Sequence, residues 1–159
     1  AVHPIAAASG LEVVPNGQIA VDRQMRSVSH PNVYAAGDSA FVIAESGLPL
    51  PMSCASTAPT AKQATASIIG DLTGRKIPTI TMSYAGNHIS LGRKDAIYQL
   101  VDKAAQTKPR PLRGRTAARV KSSILDGAAW ALSHPNLGKP SHKYRLATTG
   151  EHSPELAAG

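Results

Sequence analysis

Cysteine is almost missing from this chain: Cys54 is the single one in 159 residues, which excludes an internal disulfide framework and a zinc site built on thiolates. The six histidines, His3, His30, His88, His134, His142 and His152, are scattered without the short spacings of a metal site, so no metal is expected. Aromatic side chains amount to 4%, and there is no aromatic stripe or known nucleic-acid motif, so nucleic acid is not an expected partner. No apolar run approaches the ~20 residues that cross a bilayer, and no signal-peptide pattern opens the sequence. Acidic residues are also scarce. Ten Asp and Glu stand against 17 Lys and Arg, a net charge of +7. By itself that balance favours anionic partners, whether phosphates, acidic lipid or nucleic acid, without choosing between them.

What is present suits one ordinary domain or two small ones. Within "SHPNVYAAGDSA", residues 29–40, Val33 to Ala36 form an apolar run with His30-Pro31-Asn32 before it and Gly37-Asp38 behind it. This reads as a short buried strand with breakers at both ends. Asp38 then falls where open α/β sheets place their ligands, beyond the carboxyl end of a strand, and Gly37 permits close backbone approach. A Gly-Asp turn that merely caps the next element is the plainer alternative.

Along the chain, residues 1–47 alternate short β-like runs with turns: "GLEVVPNG", "QIAVD", "NVYAAGD". A long alanine-rich helix is expected from about Ser53 to Leu72, with Ser53 as N-cap and Pro59 either in its first turns or kinking it. Residues 76–101 predict three alternating strands separated by "AGN" and "GRKD". Residues 109–132 predict a helix with Arg113, Arg115, Arg119 and Lys121 in its first half, followed by a polar, flexible tail over 133–159. The chain opens at Ala1 without methionine, which suggests processing or a longer parent.

Four stretches, in order, resemble the C-terminal part of the flavin-dependent pyridine nucleotide oxidoreductases, most closely the type II NADH dehydrogenase-like group. They are "GQIAVDRQMRSVSHPNVYAAGDSA", "LPMSCASTAPTAKQATASIIGDLTGR", "ISLGRKDAIYQ" and "GRTAARVKSSI". The resemblance implies an α/β fold, α+β as a fragment: residues 1–75 as the remnant of an FAD-binding domain and 76–132 as a small antiparallel-sheet interface domain with a C-terminal helix. It implies FAD as cofactor and NAD(P)H as substrate of the parent, with electrons passing to a quinone or other acceptor. Gly37 and Asp38 would contact the flavin chain, Asp38 accepting from a ribityl hydroxyl, as an ionised carboxylate can. Backbone N–H groups around Cys54, Ala55 and Ser56, at the positive end of the helix dipole, would face the flavin ring. No catalytic residue is singled out.

Neither GxGxxG turn of the family occurs in the sequence, so the chain is expected to be a fragment, inactive in hydride transfer alone, whose partners include the missing N-terminal FAD and NAD domains. A homodimer through Ile89, Leu91, Ile97 and Leu100 is expected, and the resemblance implies a cytoplasmic chain with a peripheral contact on the inner membrane face. "CASTAPTAKQ" departs from the glutamine-bearing pattern of the quinone-using members. Cys54 is either a reactive thiol at a helix N-terminus or a small buried hydrophobe. The reading from a different class is a stand-alone basic module. There Arg110, Arg113, Arg115, Arg119, Lys121, Lys139, Lys143 and Arg145 hold an anionic surface, and Val120, Ile124, Leu125, Ala128, Ala131 and Leu132 form the apolar face of an interfacial helix.

Overall fold

Regular backbone pairing is sparse in the first half of the chain because its apolar runs are short and interrupted by Pro, Gly and Asn. The computed structural model describes residues 2–102 and 106–134, which divide into two units, residues 2–82 and 83–134. The whole is mixed α/β.

In the first unit, a one-turn helix α1 (Ile5–Ala8) precedes strand β1 (Ile19–Ala20), which pairs in parallel with β2 (Ala40–Phe41) through Ile19 opposite Ala40. The stretch 33–36 is not a strand. Tyr34 makes a single antiparallel bridge to Arg26, with Ser27 N–H donating to Val33 O at 2.8 Å and Ala35 N–H to Met25 O at 3.1 Å. Its backbone is thus engaged by the chain just before it, in an irregular hairpin, and no parallel neighbour extends it. At the start of that hairpin Asp22 Oδ1 accepts from Gln24 N–H at 2.7 Å and Arg26 N–H at 3.0 Å. Met25 there is fully buried, with φ of +65°, a conformation that costs a β-carbon-bearing residue about 1–3 kcal/mol. Burial of the long thioether offsets that cost.

Helix α2 (Cys54–Thr73) begins where the sequence places it: the Ser53 side chain accepts from Ala55 N–H at 3.3 Å. Pro59 lies inside it. Its buried face is made of Ser56, Thr60, Gln63, Ala64, Ser67 and Gly70, while Ile68 and Leu72 are exposed. Small and polar groups therefore do the packing, and each polar one needs a partner. Gln63 Nε2 donates to Gln24 Oε1 at 3.0 Å, Ser67 Oγ to the same oxygen at 2.8 Å, and Ile80 N–H to Gln63 Oε1 at 2.8 Å. Gln24 Nε2 reaches Thr79 Oγ1 at 3.0 Å. Further along, Arg26 Nε donates to Asp71 Oδ2 at 2.9 Å, Arg26 also bridges to Asp71 Oδ1, and the Tyr34 hydroxyl donates to Asp71. The carboxylate raises the Arg26 pKa further above its ordinary value, chiefly through that hydrogen bond.

After Gly74 the chain doubles back along α2, and Gly70 is the notch that admits it: a β-carbon there would lie 2.4 Å from Ile77 Cγ1 and 2.8 Å from Arg75 O. Residues 76–85 hold no strand. Residues 77–80 bond instead to Gln24 and Gln63, and Met82 O accepts from Glu45 N–H at 3.2 Å, so no strand pairs across "AGN".

The second unit is an antiparallel sheet in the order β3-β4-β5: β3 (Gly86–Gly92), β4 (Asp95–Leu100) and β5 (Leu112–Arg113). The "GRKD" turn forms as read, with Gly92 opposite Asp95 and two residues, Arg93 and Lys94, at the tip. The third strand comes from 112–113, where helix had been expected, because "KPRP" holds the preceding backbone extended. Helix α3 (Gly114–Ser133) follows. Its first half lies on the sheet face that carries His88, Ser90, Ala96 and Tyr98, with Ala96 and Ala117 buried and Lys121 Nζ donating to Ser90 Oγ at 2.8 Å. Alternation sends Ile89 and Ile97 to the other face and Leu100 to the helix side, while Leu91 falls at a register shift between Ser90 and Gly92. The tail expected over 133–159 falls, from residue 135 on, outside the described residues, as do Lys139, Lys143 and Arg145.

Candidate functional site

Gly37 to Ser39 form one 3₁₀ turn between the irregular hairpin and β2. Gly37 has φ of +64°, which a side chain would resist, and a β-carbon on it would touch Thr57 Oγ1 at 3.4 Å. The turn thus sits directly against the opening turns of α2. Its N–H at Gly37 donates to Thr60 Oγ1 at 2.9 Å, and that hydroxyl donates in turn to Ser56 O at 2.7 Å. From the other side the Gln18 amide holds it: Nε2 donates to Asp38 O at 3.0 Å and to Ala40 O at 2.9 Å, while Gln18 Oε1 accepts from Asn16 Nδ2 at 2.8 Å. Ser39 Oγ closes the turn on Ala36 O at 2.8 Å.

Gln18 and Thr60 are both buried, and neither draws notice in the sequence. A buried amide in "PNGQ" reads as turn chemistry, and a threonine inside an alanine-rich helix reads as a neutral surface residue. The one available signal is Thr60 standing four residues after Ser56 on the face that α2 turns inward. Their effect is to fix the Asp38 backbone while leaving its carboxylate exposed and without a hydrogen bond or ion pair among the described residues. A fixed backbone under a free carboxylate is what an acceptor for an outside hydroxyl requires.

The N-terminus of α2 is less open than the sequence suggests. Ala55 N–H is taken by Ser53 Oγ and Ser56 N–H by Ser53 O at 2.9 Å. Ser56 is buried, with its hydroxyl on Pro51 O at 2.8 Å. Of the three N–H groups expected to face a ligand, only that of Cys54 makes no hydrogen bond among the described residues. The helix dipole still places its positive end there. Cys54 is exposed, which removes the buried-hydrophobe reading of this thiol. No acidic side chain stands in the first turn of α2 to neutralise that end.

The first unit also carries a shallow pocket of about 160 Å³ lined by Arg23, Met25, residues 42–45 and residues 79–82. None of Gly37, Asp38, Cys54, Ala55 or Ser56 lines it, so the candidate site is the open surface at the turn and not this pocket. Among the described residues no helix is long and apolar enough to cross a membrane.

Residues 1–67 match the family model described as pyridine nucleotide-disulphide oxidoreductase. The matched stretch contains β1, the Gly37–Ser39 turn, β2 and most of α2, and so the whole candidate site. The match supports an oxidoreductase of that type, from a family that generally binds FAD and uses NAD(P)H.

Proposed function

We propose that these residues supply the ribityl and ring end of an FAD site in the C-terminal part of a type II NADH dehydrogenase-like flavoprotein. The observation that carries this reading is the Asp38 carboxylate, exposed and without a partner among the described residues, on a turn whose backbone is fastened by Gln18 and Thr60 against the start of α2. An ionised carboxylate accepts strongly from hydroxyl donors. The positive helix end beside it, with the Cys54 N–H available, favours electron-rich groups nearby. When bound, FAD supplies the hydride and electron chemistry between NAD(P)H and a quinone or other acceptor. Asp38 binds and orients the cofactor's polyol chain, Gly37 lets the backbone pass close to it, and the α2 terminus biases the electrostatics. The adenosine end of the cofactor and the NAD(P)H site belong, in this reading, to residues other than these.

The test is the FAD affinity of the flavin-loaded protein carrying Asp38→Ala. Loss of a charged hydrogen-bond acceptor should weaken binding by about 1–3 kcal/mol. Because the carboxylate has no partner within the described residues, the unfolding midpoint of the flavin-free protein should not move. Unchanged flavin affinity removes this role from Asp38.

A further inference from the structure

The Gln18 amide that fastens the Gly37–Ser39 turn is itself set by one neighbour. Its Nε2 faces two carbonyls, Asp38 O and Ala40 O, so its oxygen points the other way, where Asn16 Nδ2 donates to it at 2.8 Å. Asn16 Oδ1 in turn accepts from Gln18 N–H at 3.0 Å. Both amides are therefore locked in one orientation.

Asn16 is followed by Gly17, whereas Asn32, Asn87 and Asn136 precede valine, histidine and leucine. A glycine has no side chain to keep its own nitrogen from turning on the preceding one. Asn16 is exposed at the tip of a hairpin closed by Gly17 N–H to Val14 O at 2.8 Å and Val14 N–H to Gln18 O at 2.9 Å, with one bridge, Val13 to Ile19, below them. Only the first of these bonds has to open to free the glycine nitrogen. The Gln18 N–H meanwhile keeps the Asn16 side-chain carbonyl polarised.

From these observations we propose that Asn16 deamidates spontaneously in the folded chain, and that the product unfastens the Gly37–Ser39 turn through Gln18. The Gly17 nitrogen bonds to Asn16 Cγ, the Cγ–Nδ2 bond breaks, and Nδ2 leaves as ammonia with the Gly17 proton. Water then opens the succinimide at either carbonyl, leaving aspartate or isoaspartate. An ionised carboxylate only accepts, so it has nothing to donate to Gln18 Oε1. Turning the Gln18 amide over to meet it would aim Oε1 at Asp38 O and Ala40 O instead. Gln18 is 4% exposed, so the lost bond is not readily replaced by water. Isoaspartate also lengthens the backbone between Val14 and Gln18 by one carbon. The modification and its effect on the turn hold whatever binds there, and only a consequence for flavin rests on the reading above.

The test incubates the full chain for weeks at mildly alkaline pH and body temperature and maps the amide-to-acid mass gain by peptide mass spectrometry. It should appear at Asn16 ahead of the other asparagines. In the aged chain and in Asn16→Asp, proton exchange at the Gln18 side-chain amide and at Gly37 N–H, followed by NMR, should quicken roughly tenfold or more. Gln18→Ala should quicken Gly37 as much, and adding Asn16→Asp to it should change nothing further. An Asn16 still intact in the folded chain after the urea-unfolded chain has converted overturns the proposal. So does unchanged exchange in Asn16→Asp, or an effect that adds to that of Gln18→Ala.

Discussion

The two units hold themselves together in opposite ways. The second is regular to the eye, with a register of six paired positions between β3 and β4, yet it buries little beyond Ala96 and Ala117 among apolar side chains. The first has two-residue strands, yet it encloses Met25, Ala35, Ala40, Val42, Leu50, Ala64 and Met82 and fastens them with buried amides and hydroxyls. Hydrogen-bonded regularity and packing are separate sources of order, and here they are divided between neighbours in one chain.

Breaking the packed unit at its centre should give the largest effect. Met25→Ala keeps the strained backbone but removes the buried thioether chain, and should destabilise by about 2–5 kcal/mol, read from urea unfolding. Next comes its polar seam. Gln63→Ala strands Ile80 N–H and part of the Gln24 amide, for an expected loss of about 1–3 kcal/mol. Little or no loss would show that water replaces the glutamine and that the seam is filler.

The second unit should respond more weakly, and to acid. His88 stacks on Tyr98 with centroids 3.8 Å apart, and its Nε2 is buried without a hydrogen-bond partner among the described residues. Burial, and secondarily the Lys121 charge, pushes its pKa below the ordinary value. The unfolded chain therefore takes up the proton first, so the contribution of neutral His88 is complete above about pH 6.5 and is lost as pH falls through the folded value. Thermal unfolding followed by amide signals of β3 and β4 should show a modest acid destabilisation that His88→Phe abolishes. The smallest effect belongs to Leu91, which is 59% exposed at the register shift of β3. Leu91→Ser should change stability by less than ~0.5 kcal/mol. A large loss there would mean that this side chain is covered in solution.

Local chemistry made much of this legible. Ser53 announces α2, the two-residue "RK" tip announces the β3–β4 hairpin, and Gly37-Asp38 marks the turn that carries the candidate site. What escaped depends on partners distant in sequence. Val33 to Ala36 has strand composition, but the hairpin through Arg26 claims its backbone before a parallel neighbour can. Residues 76–84 alternate as a strand would, but Gln63 and Gln24 capture them as a strap. The inward face of α2 could not be read from hydrophobicity because it is polar, so Gln18 and Thr60, which set the Asp38 turn, carried no signal of their own.

The doubling back after α2 also has a bearing on how the first unit is assembled in time. Gly37 and Thr60 are 23 residues apart and Gln18 and Ala40 are 22 apart, whereas Gln24 and Thr79 are separated by 55. Closing the longest ring first would cost the most chain entropy. Docking α2 on the 37–39 turn divides that ring, so that Ile77 needs only to turn about Gly74 and settle into the Gly70 notch. The strap is then the last piece to arrive, and substitutions along 77–82 should speed unfolding while leaving the folding rate almost untouched.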